Sequence, residues 1–232
     1  MASQATVLSK TDAVAASSAG SQRRARMRSA LVEAAMRLFA RKGIDATTID
    51  EIVDLAGVAK GTFYNYFTDR SDIARAVAAS VRIEMNQAVE EINQGYNDPA
   101  ERVSRGVRLF LALAAFNPVR ARMLSRMYDG GVDITSFGNE HLLGDIRDGV
   151  EQGAINVPGI EVALHLVVSV ATVGIRHLLI KGAGEEIKRG EGYARDLVTV
   201  LLQGLGVAPA EIERIVDAPF DVEKLTVWAQ SS

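Results

Sequence analysis

Residues Thr47–Asp72 read TTIDEIVDLAGVAKGTFYNYFTDRSD. The stretch resolves into two short helices around one tight turn. Thr48 followed by Glu51 has capping-box spacing, in which a hydroxyl and a carboxylate each satisfy a backbone amide left free at a helix start. This pair opens a helix that runs to about Ala56. Gly57 makes the turn, because glycine takes left-handed backbone angles without a Cβ penalty. A second helix covers about Ala59–Phe67, and Asp69, with Asp72 three residues on, starts the next one.

On a wheel of about 100° per residue, Phe63 and Phe67 fall together and must face a core. Gly61 and Asn65 fall on the opposite side, with Thr62 beside them and Tyr64 and Tyr66 at the edges. Each residue type on that outer stripe suits a nucleic-acid groove. Gly61 lets the backbone approach bases closely. Lys60 can donate to guanine O6 and N7, and Asn65 can pair with adenine N6 and N7. Thr62 can bond a base edge or touch a thymine methyl. The two tyrosine hydroxyls can hold phosphates at the groove edges. Thr47 and Thr48 offer a hydroxyl and free amides at a helix N-terminus, an expected anion site. Arg70 is a further phosphate candidate. A protein-contact helix is the alternative for the same pattern, since a helix–turn–helix spacing alone is common in all-helical proteins.

Toward the N-terminus, Met27, Leu31, Ala34, Leu38 and Phe39 recur at three- and four-residue steps. They predict one apolar face of a helix over 22–42, stopped by Gly43. Its start carries Arg23, Arg24, Arg26 and Arg28, which could track the DNA backbone or enter a minor groove, or form a solvated face. Residues 1–21, rich in Ala, Ser, Thr and Gln, read as a disordered tail without the apolar run of a secretory signal. The formal net charge is −3, but it is unevenly placed. Residues 1–70 hold 10 Lys and Arg against 7 Asp and Glu, and the remainder holds 16 against 22. A mildly basic first third on an acidic body is expected where only one module meets phosphate.

Beyond residue 70 the periodicity is helical throughout, with no alternating strand pattern. Helices are expected over roughly 98–116, 118–128, 138–152, 160–181 and 189–204, with a shorter one after Pro209. The breaks are Asn117-Pro118, Asp129-Gly130-Gly131 and Asn156–Gly159. The class is therefore all-α: an N-terminal three-helix helix-turn-helix domain over 22–69, a larger helical domain over 70–217, and a C-terminal segment, 218–232, of undetermined structure.

The stretch from Leu31 to Ile73 resembles the TetR/AcrR family of bacterial repressors. The resemblance rests on Leu38-Phe39, Lys42-Gly43, Thr47-Thr48-Ile49, Ala56-Gly57-Val58 and the run Lys60–Phe67, and covers about a fifth of the chain. Ile52-Val53 and Asp69-Arg70 depart mildly from the family pattern, which usually has Ile-Ala and Asn-Lys there. Asn65 often corresponds to another residue, so no base preference carries over. The resemblance implies that the first three helices bind DNA and that the rest serve ligand binding and dimerisation. It assigns Lys60, Gly61, Thr62, Tyr64 and Tyr66 to operator contact, with Thr47, Thr48 and Arg70 near phosphate. It also implies that the last two large helices pair with those of a second subunit. Val162, Leu166, Val170 and Val173 on the first, and Leu197, Val200 and Leu201 on the second, are the candidate dimer residues, with monomer core as the alternative. Phe110, Leu113, Phe116, Met123, Met127, His141 and His165 are candidates for lining an effector cavity, with ordinary core packing as the alternative for each.

The implied partners are a double-stranded DNA operator, a second copy of the chain and a small-molecule effector, in a cytoplasmic protein acting as a homodimeric repressor. No membrane partner is expected, since charged residues and histidines interrupt the apolar stretch 160–180. No cofactor or metal is expected either. Cysteine is absent, and His141, His165 and His177 have no metal-ligand spacing. No nucleophile elbow or phosphate-cradling glycine loop suggests an enzyme. The rival reading is a helical small-molecule binder or adaptor without sequence-specific DNA binding.

Overall fold

The computed structural model describes the backbone of residues 3–129 and 139–220, and the side chains of 20–126 and 139–220. Among these there are eleven helices and no strand. The chain divides into two units, Met1–Val77 and Ala78–Ser232.

The first unit holds α1 (Ser3–Lys42), α2 (Ile49–Ala56), α3 (Lys60–Tyr64) and the start of α4 (Arg70–Ile92). Its core is built from Leu31, Ala35 and Phe39 of α1, Ile52 of α2, Phe63 of α3 and Ile73 of α4, all fully buried. Two boundaries differ from expectation. The α1 backbone reaches back to Ser3, over the span read as a disordered tail. No proline interrupts residues 3–42, Gly20 is the one glycine, and the stretch is rich in alanine, the strongest helix former. The unit boundary falls after Val77 and not after Asp69, because Ile73 and Val77 are buried members of the first unit.

The second unit is arranged around α5 (Pro99–Phe116), which packs on α6 (Pro118–Asp129), α7 (Glu140–Glu151), α8 (Ile160–Lys181), α9 (Glu185–Lys188), α10 (Tyr193–Gly204) and α11 (Pro209–Asp217). Asp98 caps α5, its carboxylate accepting from the amides of Ala100 and Glu101, with Pro99 in the first turn, where its missing N–H costs nothing. Three arginines on successive turns of α5 fasten it to other elements. Arg102 donates to Asp145 of α7 at 2.6 Å. Arg105 donates twice to the carbonyl of Ile92, the last residue of α4, and lies 3.5 Å over the Tyr96 ring. Arg108, 2% exposed, donates to the carbonyls of Ile215, Val216 and Ala218 at the end of α11. Helix C-termini leave carbonyls unpaired and carry partial negative charge, so a buried guanidinium can serve there without a carboxylate. Burial holds the Arg108 guanidinium down to about 10, which leaves it charged at neutral pH.

The one-turn helix α9 lies in a stretch without predicted structure; four residues are too few to show periodicity, and Ile187 anchors it to the core. Two positive-φ glycines, Gly190 and Gly192, delay the start of α10 to Tyr193. α8 is long and apolar enough by composition to cross a membrane, yet half of its most apolar window is buried inside the protein. It packs closely on α10: a Cβ on Gly174 would meet Leu197 Cδ2 at 2.6 Å.

The outer faces of α8 and α10 leave Val162, Val173 and Val200 about 60% exposed, with Ile180 more so. Leu166, Val170 and Leu197 are half-buried beside them. Leu201 is corrected: it is buried in the core of its own unit, one position round the helix from exposed Val200. His165, expected inside, lies on the exposed side of α8, because the buried positions of that helix are Leu164, Val167, Val168 and Ala171.

Candidate functional site

The first unit builds the candidate reading face from its local chemistry. Thr48 caps α2 in a complete capping box: its hydroxyl accepts from the Glu51 amide, and the Glu51 carboxylate accepts from the Thr48 amide at 2.9 Å. Lys42 pairs with the same carboxylate, and these hydrogen bonds hold Glu51 down to about 2. Gly57 ends α2 in the left-handed region at φ +68°, with its amide bonded back to Asp54. Phe63 and Phe67 are buried with ring centroids 5.7 Å apart, and Asp69 accepts from the Asp72 amide at 2.8 Å to start α4.

These anchors orient the opposite face outward. Gly61, Tyr64 and Asn65 are exposed, and Thr62 and Tyr66 are half-exposed. A Cβ on Gly61 would meet nothing within 4 Å, so the glycine has no packing purpose within the unit. The helix is shorter than expected. α3 ends at Tyr64, with Asn65 as its cap and Tyr66 in the following turn. Arg24 lies 5.8 Å over the Tyr66 ring, and Arg23, Arg24, Met27, Thr62, Asn65 and Tyr66 line one shallow groove. The arginine-rich start of α1 is thereby placed beside the α3 face.

One expected phosphate contact, Thr47, is corrected, and Thr48 and Arg70 have partners within the unit. Thr47 is completely buried, and its hydroxyl donates to the Gly43 carbonyl at 2.7 Å. Thr48 is exposed, but its amide and hydroxyl are engaged by Glu51, whose carboxylate already fills that helix N-terminus. Arg70 donates to the carbonyls of Asp45 (2.7 Å) and Thr47 (3.3 Å) and pairs with the Asp45 carboxylate. It clamps the loop between α1 and α2. Lys60 is exposed as expected, but its ammonium lies 2.8 Å from Asp50, which raises its proton affinity. Asp50 is the residue of this surface that the sequence reading passed over; its position in the first turn of α2 suits the helix dipole and gave no other signal.

The second unit contains a cavity of about 110 Å³ between α4, α5, α7 and α8. Of the expected lining residues, Phe110 and His141 reach it. Leu113 and Met123 are core residues away from it, Phe116 lies beneath the Lys188 ammonium, and His165 faces outward. The Met127 side chain lies outside the described residues. Residues not singled out in the sequence complete the wall, among them Val107, Val168 and Thr172 and the paired Arg102 and Asp145. Burial pushes the Asp145 carboxyl above its ordinary value despite the Arg102 guanidinium.

The family model for bacterial regulatory proteins of the tetR family matches residues 31–77, the helices that carry this face. Among curated proteins, the chain is 24% identical over 137 residues to YhgD of Bacillus subtilis, an uncharacterized HTH-type transcriptional regulator, spanning 54% of this chain and 70% of that one. Further HTH-type relatives are spanned over 57% of their length or less. Two solved structures share the fold. RolR in complex with resorcinol is 23% identical, covers 86% of this chain and 97% of its own, and has a TM-score of 0.58. FadR of Bacillus subtilis in complex with stearoyl-CoA is 17% identical, with 75% and 97% coverage and a TM-score of 0.63. The all-helical architecture and the matched segment agree: residues 31–77 are similar to the bacterial regulatory proteins of the tetR family, and the fold of the chain is shared with solved regulators.

Proposed function

We propose that the protein is a homodimeric transcriptional repressor that reads a palindromic operator through α3 and is released by a small-molecule effector held in its second unit. The observation that carries this reading is the outward face Lys60–Tyr66. It presents a glycine, an amide, a hydroxyl and two phenols over two buried phenyl rings, with no packing role for Gly61. Lys60, Thr62 and Asn65 address base edges, and Tyr64 and Tyr66 hold phosphates. Arg23 and Arg24, beside them, follow the backbone or the adjacent minor groove.

The exposed valines of α8 and α10, two helices packed on each other, support a two-fold dimer, since exposed apolar side chains of this number suit an interaction face. Solved proteins of this fold hold ligands as different as resorcinol and stearoyl-CoA. This supports a ligand in the helical body but leaves its nature to the cavity of this chain. α4 contributes residues to both units, and Arg120 of α6 pairs with Glu84 of α4 at 2.5 Å. An effector with different affinities for two arrangements of the body can therefore bias the reading unit through α4, and only to the extent of that difference. Nothing in this scheme calls for a membrane, and the site of action is the cytoplasm.

Selection from random duplexes tests the reading. The expected result is a palindromic consensus, bound with an affinity that falls steeply as salt rises. In Lys60→Ala/Tyr64→Ala, affinity for that consensus is expected to drop about 100-fold, at roughly 1–3 kcal/mol per contact. Weak, equal retention of every duplex would favour the non-DNA-binding rival.

A further inference from the structure

Resting on the effector reading, we infer that the cavity of the second unit takes a small, uncharged ligand of single-ring size, apolar over most of its surface, that hydrogen-bonds through a hydroxyl or carbonyl to Thr172. Three observations carry this.

The first is size. At about 110 Å³ the cavity is of the order of an apolar cavity of ~150 Å³ that admits one benzene. A long acyl chain does not fit in that space. The second is the wall. Val103, Val107, Leu124, Val167, Val168 and Ala171 are buried and apolar, so the body of the ligand must be apolar as well. The third is Thr172. It is 8% exposed, lines the cavity, and its Oγ1 has no hydrogen-bond partner among the described residues. A threonine in a helix ordinarily bonds back to the carbonyl one turn earlier, and a buried hydroxyl left unpaired is costly. This hydroxyl can both donate and accept, which suits a ligand hydroxyl or carbonyl.

The charge arrangement selects a neutral molecule. Arg102, the half-buried cation of the wall, is already committed: its Nε donates to Asp145 and its Nη1 to the Tyr96 carbonyl. Arg82 and His141 also line the cavity but are exposed, so solvent and salt screen them. An anionic ligand drawn to Arg102 would compete with Asp145 for its guanidinium and leave a buried carboxylate without its partner.

The test uses the full-length protein and calorimetric titration with phenol, toluene and benzoate. Phenol is expected to bind more tightly than either. Thr172→Val keeps the shape and removes the hydroxyl; it should weaken phenol about fivefold, the worth of one net hydrogen bond, and leave toluene unchanged or tighter. Four results would overturn the inference: equal affinity for phenol and toluene, equal loss of both in Thr172→Val, preference for benzoate, or binding of octanol with no binding of phenol. Retention of the selected duplex is measured in parallel without ligand. Duplex binding with no phenol binding refutes the cavity assignment alone. Thr172-dependent phenol binding without duplex binding refutes the regulator reading alone.

Discussion

The α3 reading face and the α8 wall are both short stretches of helix with one side buried, yet they are specified in opposite ways. Along α2–α3 nearly every residue answers a local demand: Thr48 and Glu51 cap, Gly57 turns, and Phe63 and Phe67 anchor. Whatever remains is free to face outward, so the reading surface is the residue of a local accounting. Along α8 the apolar residues are interchangeable in pattern. Whether a valine meets the core, the cavity or solvent depends on helices far away in sequence. Function in the first unit is written in spacing, and in the second unit in packing.

The sharpest way to break this contrast is to attack the anchors. Phe63→Ala removes a fully buried ring and should cost about 3–5 kcal/mol. Thermal melting should show the first unit unfolding early while the second keeps its transition. A single unchanged transition would mean that α3 is held by something other than its rings. The body is tested by Val173→Asp, which puts a charge on the exposed face of α8. Sedimentation should show the proposed dimer dissociating at least about tenfold more readily, since an unpaired charge at an apolar contact costs more than about 1.4 kcal/mol. Melting of the monomer should barely change.

Smaller effects probe the caps and charges. Thr48→Ala should cost about 1 kcal/mol, read by denaturant unfolding of the first unit. Glu51 adds a pH signature. Its carboxyl is held at about 2 against an ordinary 4.5, so its stabilising contribution is complete above about pH 4.5 and is lost as pH falls toward 2. Lys42→Met, which removes the largest cause of that low value, should flatten the acid limb in a pH series of melting curves more than Thr48→Ala, which keeps the backbone amide bonded to Glu51. Finally, Asp50→Asn frees Lys60 and removes a negative charge from the reading surface. Fluorescence anisotropy should show duplex affinity rising a few-fold at low salt, with the gain fading as salt screens it. Weaker binding would mean instead that Asp50 holds Lys60 in its working position.

The helix starts at Thr48 and Asp69 were legible because caps are short-range chemistry. So were the buried phenyl pair and the exposed Gly61–Asn65 stripe. What the chain does not spell locally was missed. Thr47 and Thr48 are adjacent and alike, yet one is sealed under Gly43 and the other caps a helix. Arg70 reads as a free cation but clamps a carbonyl 25 residues back. Val200 and Leu201 are neighbours of equal character, one exposed and one buried. Thr172 drew no attention in an apolar run, because an unpaired hydroxyl is a property of its surroundings and not of its sequence.

The central claim is that two copies of the α3 face meet one side of one duplex. Hydroxyl-radical footprinting on the selected operator measures this directly. The account predicts two symmetric protected patches on the same face of the helix, their centres about one turn (~34 Å) or somewhat more apart, both lost in Lys60→Ala/Tyr64→Ala. A single patch, protection on opposite faces, or a footprint indifferent to those substitutions would contradict it.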